Sequence, residues 1–129
     1  MLFKWWWLLL FYLVVLGFLS LNPWLRPNPE QAIGFIAWDL LDHAVAYGLL
    51  SVLLMSAFIK RRRSLAMTFM VVVAASLIGV LFEYCQYWFT STRQFSFYDA
   101  VANIFGSVLG VAAFQGVHGF LFVTKSRHC

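Results

Sequence analysis

Charge is what this chain has least of. Only 11% of its 129 residues are Asp, Glu, Lys or Arg, against about 25% in an ordinary soluble domain. So few charges cannot cover a globule in water, and 63% of the residues are hydrophobic. Cysteine is nearly as scarce. Cys85 and Cys129 stand alone, without CxxC or metal-ligand spacing, so neither implies a disulfide or a zinc motif. Cys85 reads as a packing residue and Cys129 as a free cytoplasmic thiol. Proline is confined to Pro23, Pro27 and Pro29. A residue that removes a backbone donor and stops helices is therefore missing from all but one short segment. No internal repeat breaks the pattern.

What fills the chain instead is long apolar runs, at 5–21, 44–59 (extended at its front by a polar turn), 65–82 and 100–124. A bilayer-spanning helix needs about 20 mostly apolar residues, or somewhat fewer with snorkelling flanks. The runs predict an all-α fold: one domain over 1–129, an integral membrane bundle of four transmembrane helices at about 5–22, 38–59, 65–89 and 99–124. The first run resembles a signal peptide, but its apolar core is longer than a typical h-region and no small-x-small cleavage site follows. It is expected to stay as a helix, with Trp5, Trp6 and Trp7 in an interfacial belt.

The formal charge of +4 raises nucleic acid as a partner, and the placement of the charges argues against it. Lys4, the run Lys60-Arg61-Arg62-Arg63, Lys125 and Arg127 fall on one side of a chain that crosses four times, leaving Arg26 and Arg93 on the other. Cytoplasmic loops carry the excess of Lys and Arg, so both termini are expected in the cytoplasm. The basic run then anchors topology beside anionic headgroups, with membrane lipids as the partner and no nucleic acid.

Polar residues gather at the other side. Helix two enters with Asp39, Asp42 and His43, with Tyr47 one turn deeper; helix three carries Glu83 and Gln86 just before it exits; helix four enters with Asp99 and Asn103. Four of the five acids are in this set, and at 1.5 Å per residue all fall in the outer third of the membrane or at its surface. Their spacing also sets their facing. Asp39, His43 and Tyr47 step by four, Glu83 and Gln86 by three, and Asp99, Asn103, Gly106 and Gly110 by four, three and four, so each set forms one stripe. Gly106-Ser107-Val108-Leu109-Gly110 reads as GxxxG, a surface that lets another helix approach closely. Ionisable residues inside membranes usually face the bundle interior, so three stripes are expected to share one pocket.

The order Asp39-x3-His43-x3-Tyr47, Glu83-x2-Gln86, then Arg93-x5-Asp99-x3-Asn103-x2-Gly106-x3-Gly110 resembles the VanZ-like family of small bacterial membrane proteins. The likeness runs from about residue 38 to 110. It implies a multipass protein of the bacterial plasma membrane whose polar pocket matters, in a family whose founding member is linked to low-level teicoplanin resistance. The pattern departs from the family at Leu40, where a lysine often stands, so Arg93 would be the sole cation at that corner. Asp42 is an additional acid, and Ser91 and Thr92 replace the glycine or proline that often precedes the arginine.

Several functions compete for this pocket. Acid–base chemistry on a lipid-linked envelope substrate would use His43 as the titrating group, with Asp39 orienting its ring. Glu83, set against hydrocarbon, is the candidate general acid, and Asp99 completes the acid–base set. Arg93 would clamp a phosphate or carboxylate, and Tyr47, Gln86 and Asn103 would contact the substrate. Ser91, Thr92 and Ser96 supply hydroxyls, but none lies in a nucleophile elbow. The alternative is binding without chemistry, of a headgroup, a lipid carrier or a lipophilic glycopeptide, with the polar cluster mainly structural. Trp88, Phe89, Phe95, Phe97 and Tyr98 suit either an acyl-chain contact or an interfacial belt. A proton-coupled exporter ranks behind both, since Glu83 lies far from the midplane and no broken helix or inverted repeat is visible. Asp39, His43, Glu83 and Asp99 have the donor types for a divalent ion, but no HExxH-like spacing is present, and neither metal nor cofactor is expected. His118 and His128 fall at the opposite end.

Overall fold

Long apolar stretches without proline have one economical conformation, because a backbone deprived of water must satisfy its own N–H and C=O groups. The computed structural model describes residues 2–22, 32–58, 64–89 and 96–126, with side chains over 4–22, 40–58, 64–89 and 96–118. The elements it describes are four helices: α1 (Leu2–Leu21), α2 (Ala32–Ala57), α3 (Leu65–Phe89) and α4 (Phe97–Ser126). All four are long and apolar enough to cross a membrane. At 1.5 Å per residue they reach from about 30 to 45 Å.

Helix starts follow local chemistry. Ser64 accepts the Met67 amide on its hydroxyl at 3.1 Å, and Ser96 accepts the Asp99 amide at 3.3 Å, so each is an N-cap. Ser96 is thereby assigned a structural role, although its hydroxyl counted among the possible nucleophiles. α2 begins at Ala32 rather than near 38. Its polar front turn carries no proline after Pro29, so nothing stops the helix from extending backwards toward the breakers. Residues 23–31 and 90–95, expected as the two outer loops, lie outside the described residues.

The helices alternate in direction. Tyr12 donates its hydroxyl to the Ala46 carbonyl at 2.7 Å, and Trp6 meets Phe58 edge-to-face at 5.2 Å; one pair is early on α1 and late on α2, as antiparallel neighbours require. Gln115 donates to Thr68 at 2.7 Å, which pairs α3 and α4 the same way. α2 and α4 then run parallel and pack most intimately. A Cβ on Gly106 would overlap the Ala44 carbonyl, and one on Gly110 the Gly48 carbonyl. The expected GxxxG face is thus closed by Ala44-x3-Gly48 of α2, small residues on both sides.

Apolar side chains cover the outside. Phe11, Phe18, Phe69, Met70, Leu77, Leu81, Phe105 and Leu109 are all more than half exposed. Inside, one half of the bundle is a core of Leu50, Leu54, Met55, Val71, Ala75 and Val111, and the other half holds polar groups.

Candidate functional site

The polar half is built where the first half of α2, the end of α3 and the start of α4 meet. His43 and Tyr47 come from α2, Glu83 and Gln86 from α3, and Asp99 and Asn103 from α4. All six are buried, with Glu83 at 3% exposure, Gln86 at 2% and Asn103 at 0%. Asp99 occupies the first turn of α4, at the third helical position after its Ser96 cap, where a carboxylate also complements the positive end of the helix dipole.

His43 is the hub. Its Nδ1 lies 3.0 Å from Asn103 Oδ1. A carbonyl oxygen can only accept, so Nδ1 is the donor in that contact. Asp99 Oδ2 stands 3.8 Å from that Nε2, and Glu83 Oε1 stands 3.7 Å from Nδ1. Both separations exceed a hydrogen bond but leave the imidazole between two carboxylates. One donor atom from each of His43, Glu83 and Asp99 lies within 4.8 Å of the other two. The Tyr47 ring lies parallel to that of His43, centroids 6.5 Å apart, and floors the site from one turn below.

Asn103 is itself held in place. Its amide lies against α3 at Gly79, where a Cβ would come within 2.8 Å of Asn103 Nδ2, while its backbone carbonyl accepts the Ser107 hydroxyl at 2.8 Å. Any side chain at 79 would push Asn103 away from His43. Gly79 was not identified from the sequence; its only signal is that it stands one turn before Glu83 on the same face. The same holds for Ala44 and Gly48, whose four-residue spacing on α2 mirrors that of Gly106 and Gly110.

Two expected members fall partly or wholly outside the described residues. Asp39 belongs to α2, but its side chain is not among those described, and Arg93 lies outside them altogether. Asp42 corrects the expectation that all four acids converge: it is exposed. One residue turns an α-helix by about 100°, so the neighbour of an inward His43 must point elsewhere.

Chemically, this is a buried imidazole between two buried carboxylic groups, an arrangement that can exchange a proton or gather a small cation. A second concavity at the far end of the bundle differs in kind. It is a groove of about 620 Å³ between α2 and α3, lined by Leu54, Phe58, Met67, Met70 and Val71 with Ser64 at its edge, and it offers mainly hydrocarbon contact. Comparison of the chain with family models, with curated proteins and with solved structures gave no match.

Proposed function

We propose that this chain is a multipass protein of the bacterial plasma membrane, VanZ-like, whose buried cluster of His43, Glu83, Asp99, Asn103 and Gln86 recognises or modifies a lipid-linked envelope substrate at the outer leaflet. Membrane insertion is supported by four helices long and apolar enough to span a bilayer and by their apolar exterior. An orientation with both termini in the cytoplasm is supported by seven of the nine basic residues, whose places in the sequence flank the helix ends opposite the cluster. The observation that carries the function is the convergence itself. Three helices each commit ionisable or amide side chains to one site, and intramembrane ionisable residues are functional by default. Asp39 and Arg93 would complete the site from the outer turn of α2 and the loop before α4, Arg93 as the clamp on a phosphate or carboxylate.

The close burial of the cluster favours one second reading, in which the polar groups only hold the helices in register. A single experiment separates the two. Glu83→Gln and Asp99→Asn, which keep shape while removing charge, are expressed in a glycopeptide-sensitive bacterial host. Accumulation in the membrane and teicoplanin tolerance are both measured, and native mass spectrometry reports any co-purifying lipid. The functional reading expects normal accumulation with tolerance lost. Variants that vanish from the membrane favour the register reading, and variants that accumulate and retain full tolerance remove these residues from the function.

A further inference from the structure

The geometry points to a divalent metal site at His43, Glu83 and Asp99, with Zn²⁺ as the ion that fits best. The inference rests on reading the cluster as a functional site and names its resident ion. Three protein donors, one from each of three helices, have their ligand atoms within 4.8 Å of one another. Around a four-coordinate zinc with bonds of about 2.0–2.1 Å, neighbouring donors stand about 3.4 Å apart. The His43 Nε2 to Asp99 Oδ2 separation of 3.8 Å is within a few tenths of an ångström of that edge; Glu83 Oε1 stands 3.7 Å from Nδ1, so its carboxylate would have to turn toward Nε2 to complete the set. Three protein ligands would leave a fourth position for water or substrate, as catalytic zinc sites do.

Two further features fit a metal beyond the donor count. A ligating histidine almost always donates its other ring N–H to an oxygen that fixes the tautomer and aims the lone pair. Asn103 Oδ1 accepts from His43 Nδ1, leaving Nε2 to the side where Asp99 lies. Asn103 is wholly buried and its side chain is packed against Gly79, so that orienting contact is built rather than incidental. Charge fits as well. A dication with two carboxylates and a neutral imidazole is a neutral unit, which costs least to bury away from water.

Untagged full-length protein, purified in detergent, is stripped with chelator, exposed to Zn²⁺ or Mg²⁺, desalted and analysed for bound metal. Wild type is expected to retain about one zinc per chain and no magnesium. Glu83→Gln and Asp99→Asn are expected to lose the zinc while keeping wild-type helical circular dichroism. Asn103→Ala should weaken binding by about 10- to 100-fold, and Asp42→Asn, an exposed acid outside the cluster, should bind as wild type. Co²⁺ in place of Zn²⁺ should give the visible absorption of a tetrahedral site, a readout that does not require any variant to fold. A wild type that retains no zinc, or zinc retained equally by Glu83→Gln and Asp99→Asn, overturns the proposal. If those variants lose teicoplanin tolerance while wild type binds no metal, the site functions without an ion; bound zinc with tolerance unaffected would instead leave the metal site standing and remove the proposed function.

Discussion

Single side chains in this protein carry unequal burdens. The Tyr12 hydroxyl spans from α1 to the Ala46 carbonyl, a contact of the kind worth about 0.6 kcal/mol between membrane helices, and its loss strands little because the site is only partly buried. Asn103 is different: it is wholly buried and accepts from His43. Replacing it removes one partner and leaves the other unsatisfied, at a cost of about 1–3 kcal/mol. Asn103→Leu is therefore expected to lower the unfolding midpoint in detergent clearly more than Tyr12→Phe. Equal losses for the two would show that the His43–Asn103 contact does not organise the site. At this scale the sequence is a good guide to candidates and a poor one to partners. His43, Glu83, Asp99 and Asn103 stand out because polar residues in apolar runs are rare, but nothing in their order along the chain says that Asn103 rather than a carboxylate takes the His43 Nδ1 proton. Nor does a ligand set drawn from three helices leave any local spacing to recognise.

Between elements, the contact that matters most is α2 against α4. Gly106 and Gly110 let the α4 backbone rest on the carbonyls of Ala44 and Gly48, and that contact sets the distance over which His43 meets Asn103 and Asp99. Gly110→Ala would place a methyl group into backbone that cannot swing aside. Overpacking of this kind costs about 1–3 kcal/mol, and here it would also separate the two helices that share the site. Gly116 stands further along the same helix with nothing near its missing Cβ, so Gly116→Ala should leave the midpoint nearly unchanged. Thermal unfolding followed by circular dichroism checks the pair; a Gly110→Ala variant as stable as Gly116→Ala would contradict the close crossing. GxxxG was legible as a packing surface, yet its partner was not. α2 and α4 are separated by the whole of α3, and their pairing depends on complementary surfaces rather than on chain proximity.

For the molecule as a whole, the decisive property is the separation of its two ends. The basic run 60–63 lies between α2 and α3 in the sequence, the apolar groove is lined by residues at the end of α2 and the start of α3, and the ionisable cluster occupies the other end of the bundle. The positive-inside rule predicts that the cluster lies toward the extracytoplasmic face, as the proposed function requires. Reporter fusions after Arg63 and after Arg93 check this directly. A cytoplasmic signal at Arg63 and an extracytoplasmic one at Arg93 are expected; the reverse at Arg63 would turn the molecule over and move the site to the cytoplasmic leaflet.

The sequence by itself determined the helices and their number. An apolar chain short of charge and of proline can satisfy its backbone only by coiling on itself, and that demand is local, acting within a few residues of each peptide group. It also determined which residues are candidates, because each stripe is a matter of spacing along one helix. Only the tertiary structure decided how the helices are turned toward one another: that Asp42 faces out and His43 in, that α4 lies on α2, and that Gly79 makes room for Asn103. Those outcomes depend on steric fit between surfaces far apart in the chain, at carbonyls and missing side chains, and no local pattern encodes such a fit.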